Sequence, residues 1–216
     1  MNIRTDVLRL NRDGCLLWPL ALTTLLLAGC VGLIRPNYSQ EITELRAGEY
    51  SLDPEHAYVL FRVGHLGLST VVGRFNRVSA SLDFDPEKLG ALRLDGVIDI
   101  ASIDLNNEDL ERRLLGADWF DTELYPEANF STVDAVQGIG NTFILHGNLS
   151  LHGITRALSL EATFNGGADN LLTGRYTLGF SAQGKFLRSD YGVDALAALV
   201  SDEVTVEIHA EFQRTP

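Results

Sequence analysis

The sequence predicts an all-β domain of about eight short antiparallel strands, a sandwich or a barrel, and three observations carry that prediction. Apolar and polar residues alternate in six separate runs; Gly, Asn, Asp and Pro cluster between them; no strand–helix–strand rhythm or internal repeat breaks the series. The clearest run is Val204-Thr-Val206-Glu-Ile208-His-Ala210-Glu-Phe212, with one apolar face and one wet face. Ala57 to Val63, Leu92 to Ile100, Phe143 to Leu151, Leu158 to Phe164 and Tyr176 to Phe180 follow the same period. Asp85-Pro86, Gly138-Ile-Gly140-Asn141 and Asn165-Gly166-Gly167 supply turn chemistry between runs.

One segment departs from the β pattern. Asn106 to Gly116 offers Asn at a cap position, acids in the first turn, arginines in the last and Gly just after, which predicts a helix of two to three turns. A second short helical run is expected over Asp194 to Leu199.

Composition places the chain among folded globular proteins: of 216 residues, 45% are hydrophobic and 21% charged. Net charge is −12, and −13 once the three arginines and two aspartates before residue 30 are set aside. That balance argues against a nucleic-acid partner and against broad electrostatic docking on anionic headgroups, both of which need clustered Lys and Arg.

Residues 1–14 are weakly basic and Cys15 to Ala28 almost wholly apolar, the length of a signal-peptide core rather than of a transmembrane helix. Leu27-Ala28-Gly29-Cys30 resembles a bacterial lipobox. The resemblance implies cleavage before Cys30, diacylglycerol on its sulfur and an acyl group on the new amino terminus, since two or three chains anchor where one does not. The expectation is a periplasm-facing protein, lipid-anchored in the bacterial cell envelope; Val31 in place of Asp favours the outer membrane. Cys15 leaves with the signal and Cys30 carries lipid, so the domain itself has no thiol for a disulfide, a metal or a nucleophile. The expected division is signal peptide 1–29, lipidated Cys30 and tether to 48, and a barrel domain over 49–214.

Five ordered segments of that domain resemble the YceI-like family of lipocalin-like, polyisoprenoid-binding periplasmic proteins. They are Tyr50 to His56 running on through Phe61-Arg-Val63-Gly-His65-Leu66-Gly67 to Phe75; Ile100-Ala-Ser102-Ile103-Asp104; Ala117-Asp118-Trp119-Phe120-Asp121 to Pro126; Leu151-His152-Gly153-Ile154-Thr155; and Arg188-Ser189-Asp190-Tyr191-Gly192 with Ser201-Asp202-Glu203-Val204. Two features depart from the family pattern: Glu111-Arg112-Arg113-Leu114 lacks the helical His that members often carry, and Asn170 to Gly174 lacks an aromatic. The resemblance implies an antiparallel lipocalin-like barrel around a long apolar cavity for a polyisoprenoid or an isoprenoid quinone, with fatty acids or their amides as rival ligands. An eight-stranded barrel is about the size that either fills its interior or holds one small ligand. Alternation offers Val59, Phe61, Val63, Ile98, Ile100, Phe143, Leu145, Leu178 and Phe180 as wall residues, a set that periodicity alone equally allows to be solid core. His65 and Arg62 are candidates for polar groups near a headgroup.

Catalytic chemistry finds little purchase. His146 and His152, with His65 and His209, could in principle hold a metal, but no compact ligand motif is present, and hairpin histidines bonding carbonyls account for them. Gly179-Phe-Ser181 has no following helix to make a nucleophile elbow. Asp104, Asn106 and Glu108 lack the glycine and distal Glu of a calcium loop. Asp118, Asp121 and Glu123 read as turn caps beside Trp119 and Phe120. The expectation is a binding protein with no catalytic residue, no metal and no cofactor beyond a bound lipid. An accessory of quinone redox chemistry and a filled-barrel scaffold are the alternatives; oligomeric state, a homodimer included, is left open.

Overall fold

The computed structural model describes residues 38–216. The signal peptide, Cys30 and the first part of the tether lie outside the described residues.

Ten antiparallel strands build the domain: β1 Gly48–His65, β2 Ser69–Phe75, β3 Val78–Phe84, β4 Arg93–Asp99, β5 Ile103–Asp104, β6 Glu127–Gln137, β7 Thr142–Leu151, β8 Ile154–Asp169, β9 Tyr176–Leu187 and β10 Val200–Arg214. Eight close into a barrel in the order β1-β3-β4-β6-β7-β8-β9-β10, with β10 returning to β1 from Tyr50↔Arg214 to His65↔Val200. The predicted barrel of about eight strands is therefore present, with β2 and β5 as additions.

Strand β1 explains the additions. Its first residues pair with β3 (Gly48↔Phe84 to Ser51↔Ser81), whereas its last seven pair with β2 (Val59↔Phe75 to His65↔Ser69). β2 then carries β5 through Arg74↔Asp104 and Phe75↔Ile103. The sheet closes tightly at the Gly48 end and splays into a flap at the His65 end, so the barrel has a closed end and a mouth.

Helix α1, Glu108–Leu115, lies within the connection from β5 to β6. The sequence predicted this helix from Asn106, but the cap is Asn107, whose side chain accepts from the Leu110 N–H. Glu111 reaches back to accept from the Leu105 and Asn107 N–H groups, so two orphan donors are met from inside the first turn. Asn106 holds a left-handed φ of 55° instead. The second predicted helix, Asp194 to Leu199, is a run of turns, because Leu196 takes a left-handed φ of 55° that no α-helix contains.

Residues 38–47, assigned from the sequence to the tether, pack against the closed end. Ser39 exchanges two backbone hydrogen bonds with Gly167, Ile42 and Leu45 are buried, and Arg46 grips both carboxylate oxygens of Asp169 at 2.7 Å while lying 4.3 Å over the Tyr176 ring. The Tyr50 hydroxyl donates to the Arg46 carbonyl. Above this strap the core is aromatic: Phe164 and Phe212 set their rings edge-on against Phe180, at 5.5 and 5.9 Å.

Candidate functional site

The interior is hollow. A lower chamber of about 150 Å³ lies above the closed end and an upper one of about 380 Å³ opens toward the mouth. Val59, Ile98, Ala128, Leu149, Phe186 and Val206 line both, which makes them the waist where the two chambers adjoin. Strand alternation produces this wall: β7 sends Phe143, Leu145 and Leu149 inward while Ile144 stands exposed.

Among the sequence-nominated wall residues, Phe143, Leu145 and Phe180 line the lower chamber, Phe61, Val63, His65 and Ile100 the upper, and Val59 and Ile98 the waist. Leu178 lines neither. It shares a face of β9 with Phe180 but lies two residues nearer the closed end, fully buried against Gly167 beneath the aromatic floor. Period two gives the face of a residue; it does not give its depth. Arg62 faces outward and pairs with Glu207 at 3.0 Å, so it takes no part in the cavity.

Sequence reasoning passed over several lining residues. Val204, Val206 and Ile208 belong to the clearest alternating run in the chain, so their signal was available. Ala80 belongs to the alternating run Val78-Ser-Ala80-Ser-Leu82-Asp-Phe84 of β3, so its signal was available too, whereas the alternation that carries Ala128 and Phe130 on β6 breaks after Thr132, where the strand bulges. The mouth is roofed by α1 and the loop after it, through Leu110, Leu114, Trp119 and Phe120. Gly73 permits the flap to lie close: a side-chain carbon there would stand 2.4 Å from the Phe61 ring and 2.6 Å from Leu105.

No carboxylate or amide side chain lines either chamber, and the charged groups that do are Arg113 and Arg188, both in the upper one. Arg188 is buried, and it donates from Nε to the Ser201 carbonyl and from its two terminal nitrogens to the carbonyls of Val193, Ala195 and Val200. Asp202 accepts from the Ser189 hydroxyl and N–H, hydrogen bonds that hold its carboxyl below the usual range. The fifth sequence segment thus works as a staple that ties the 188–192 turn to the start of β10.

The histidines stand apart. The His152 Nδ1 donates to the Tyr191 carbonyl at 3.0 Å, His146 bonds the Ser159 hydroxyl, and His209 bonds Glu207 and Ser181. A different trio, Asp53, His56 and Glu211, gathers its ligand-capable atoms within 4.8 Å where β1 bulges away from β10 between Leu52 and Ala57. Burial pushes the Asp53 carboxyl up, but hydrogen bonds from His56, the Glu55 N–H and Gln213 outweigh it and hold the group below its ordinary range. These bonds occupy Asp53 as the clasp of the bulge.

Residues 50–212 match the YceI-like domain family. The UPF0312 protein of Shewanella oneidensis is 30% identical over 170 residues, covering 78% of this chain and 88% of that protein. Protein YceI of Escherichia coli O157:H7 is 32% identical over 167 residues, covering 76% and 86%. The crystal structure of BcnA from Burkholderia cenocepacia superposes with a TM-score of 0.68 at 25% identity, over 74% of this chain and 98% of BcnA. A polyisoprenoid-binding domain from Saccharophagus degradans shares the fold at a TM-score of 0.59 and 18% identity, covering 79% of this chain and all of that one. With a closed eight-stranded barrel, a matched span from Tyr50 to Phe212 and relatives aligned over most of their length, the chain belongs to the YceI-like family.

Proposed function

We propose that the protein binds one long apolar lipid, a polyisoprenoid or an isoprenoid quinone, with its tail down the barrel and its polar end at the mouth. The observation that carries this reading is a two-chambered cavity with no carboxylate or amide in its wall and its only arginines near one end. An apolar cavity of about 150 Å³ stays dry and accepts a six-carbon ring. At that packing the two chambers together take about twenty carbon atoms, roughly four isoprene units. Burying such a chain contributes about 0.8 kcal/mol per methylene, a total that exceeds the ~4–15 kcal/mol lost on association. His65 and Arg113 stand where a headgroup would rest.

The cargo is membrane-resident, which fits acylation of Cys30 and a lipid-anchored, periplasm-facing protein of the cell envelope. The lipobox-like Leu27-Ala28-Gly29-Cys30 supports that placement. Cys30→Ser should release the protein from the membrane fraction without unfolding the barrel.

Native mass spectrometry of residues 38–216, followed by organic extraction, tests the binding reading. A stoichiometric adduct that extracts as a polyprenyl chain or quinone is expected. A fatty-acid adduct would replace the isoprenoid by its rival, and a mass still bare after incubation with polyprenol would mean a non-binding scaffold.

A further inference from the structure

The exposed leucines of the domain are not scattered at the mouth. The β1–β2 hairpin turns through His65-Leu66-Gly67-Leu68, and the Leu66 N–H donates to the Leu199 carbonyl at 2.8 Å, joining the hairpin tip to the 193–199 loop. Leu66, Leu68, Leu196 and Leu199 thereby form one rim, with Leu68 86% exposed and the others about half. His65 and Leu196 line the upper chamber, so the rim is continuous with the cavity wall.

The rim itself is free of charge. The chain is 21% charged, yet Val63–Gly73 and Ala195–Ser201 contain no Asp, Glu, Lys or Arg. Arg113 stands beside them at the mouth; its neighbour Arg112 is taken up by Glu108 and Asp109. An acidic protein thus presents at its mouth an apolar edge flanked by a cation.

Backbone conformation gives an independent observation. Leu66 holds φ 55° and Gly67 φ 68°, with the Leu68 N–H bonded to the His65 carbonyl at 3.0 Å. Left-handed φ at both central positions is a type I′ turn, where Asn, Asp or Gly is the favoured first residue. Leu196 holds φ 55° as well. Leucine in that region costs about 1–2 kcal/mol and is uncommon. Two of the four rim leucines are therefore kept exposed against backbone preference, and strain of this kind collects at functional surfaces.

We infer that the leucine rim is the surface by which the mouth seats on a phospholipid bilayer, so that a lipid passes between membrane and cavity without crossing water. Leu68 and Leu66 enter the interfacial zone, Leu196 and Leu199 continue it to the cavity edge, and Arg113 meets the lipid phosphates. The inference rests on the lipid-binding reading for what passes through the mouth, but the docking itself is measured without cargo.

The isolated domain serves for the test, because BcnA, 98% of which this fold covers, crystallised as little more than the domain. Residues 38–216 are floated with vesicles of phosphatidylethanolamine and phosphatidylglycerol. The wild type is expected to co-float, and Leu68→Asp with Leu199→Asp to lose at least five-fold. Leu66→Asn guards against a trivial folding defect: it puts the favoured residue in the turn, so Tm should rise by a few degrees while flotation falls. Wild type that does not float, variants that float equally, or a wild-type dimer that Leu68→Asp makes monomeric without any vesicle binding would each overturn the inference. Uptake of polyprenol from detergent micelles is measured in parallel. Flotation without uptake removes the lipid-binding reading and leaves docking, whereas uptake without flotation does the reverse.

Discussion

The Arg188 guanidinium lies 5.7 Å over the centre of the Trp119 ring, and every hydrogen bond it makes ends on a backbone carbonyl. One buried cation thus fixes both the roof loop of the mouth and the connection leading into β10. Lysine carries the charge but not the planar fork. Arg188→Lys should lower unfolding stability by about 2–3 kcal/mol, since buried carbonyls lose their donors. Urea titration followed by Trp fluorescence reads the change; a loss below 0.5 kcal/mol, on the order of an ordinary surface substitution, would remove Arg188 as the staple.

Ala128 offers a way to measure cargo length. It lies at the waist, in the wall of both chambers. Ala128→Phe should close the lower chamber at a stability cost of about 1–3 kcal/mol. A ten-carbon isoprenoid should still bind, while a twenty-carbon one should lose at least ten-fold in affinity. Equal loss for both lengths would mean that the chain does not pass the waist.

The β1 bulge should respond to pH. His56 is held above its ordinary value of 6.5 by its hydrogen bond to Asp53, with Glu211 and Glu55 adding to the effect. A raised pKa means the pair stabilises fully below pH 6.5 and its contribution is lost as pH rises through the folded value. Asp53 works in the other direction: its lowered pKa contributes above 3.8 and is lost as pH falls through the folded value. His56 is largely exposed, so the gain is under about 1 kcal/mol. An NMR titration should place the His56 ring above 6.5, and Asp53→Asn should lower it, since the largest contribution to the shift is removed.

The strap is the fourth test. Leu45 is 5% exposed and belongs to the same core as Tyr50 and Phe84. Leu45→Ala should cost about 2–3 kcal/mol and expose residues 38–47 to protease. Unchanged stability and cleavage would mean that the strap is dispensable to the fold.

How much of this was legible depended on which physical signal each part leaves in the chain. The walls at Phe143, Leu145 and Val59 follow from alternation, which a half-buried strand cannot avoid. Leu178 has the same periodicity as Phe180 and a different place, because depth along a barrel is set by how far neighbouring strands extend, which one strand's pattern does not record. The strap was read as a tether because Arg46 and Asp169, 123 residues apart, carry no mutual signal. Asp194 to Leu199 has helix-forming residues throughout, yet hydrogen bonds from Arg188 to Val193 and Ala195 hold that backbone in a conformation no helix permits. Arg188 itself entered the sequence reading only as one residue of a family-like segment, and only the closed barrel shows that it is buried.

The strap also gives the molecule a heading. It meets the barrel at Gly167, level with Leu178 and Phe212, while the mouth lies at Val200, twelve residues along β10 from Phe212. That is about 40 Å of strand, or roughly 30 Å of height at the usual tilt. From Cys30 to Tyr38 a fully drawn chain reaches about 27 Å. Acylated at Cys30, the protein would be a vessel leashed by its base: rim-down on its own membrane the leash is taut to its limit, rim-out it is slack. Attachment at the base would then turn the proposed task, taking up and giving back one lipid, from a symmetric one into traffic with a direction, away from the surface that holds the leash.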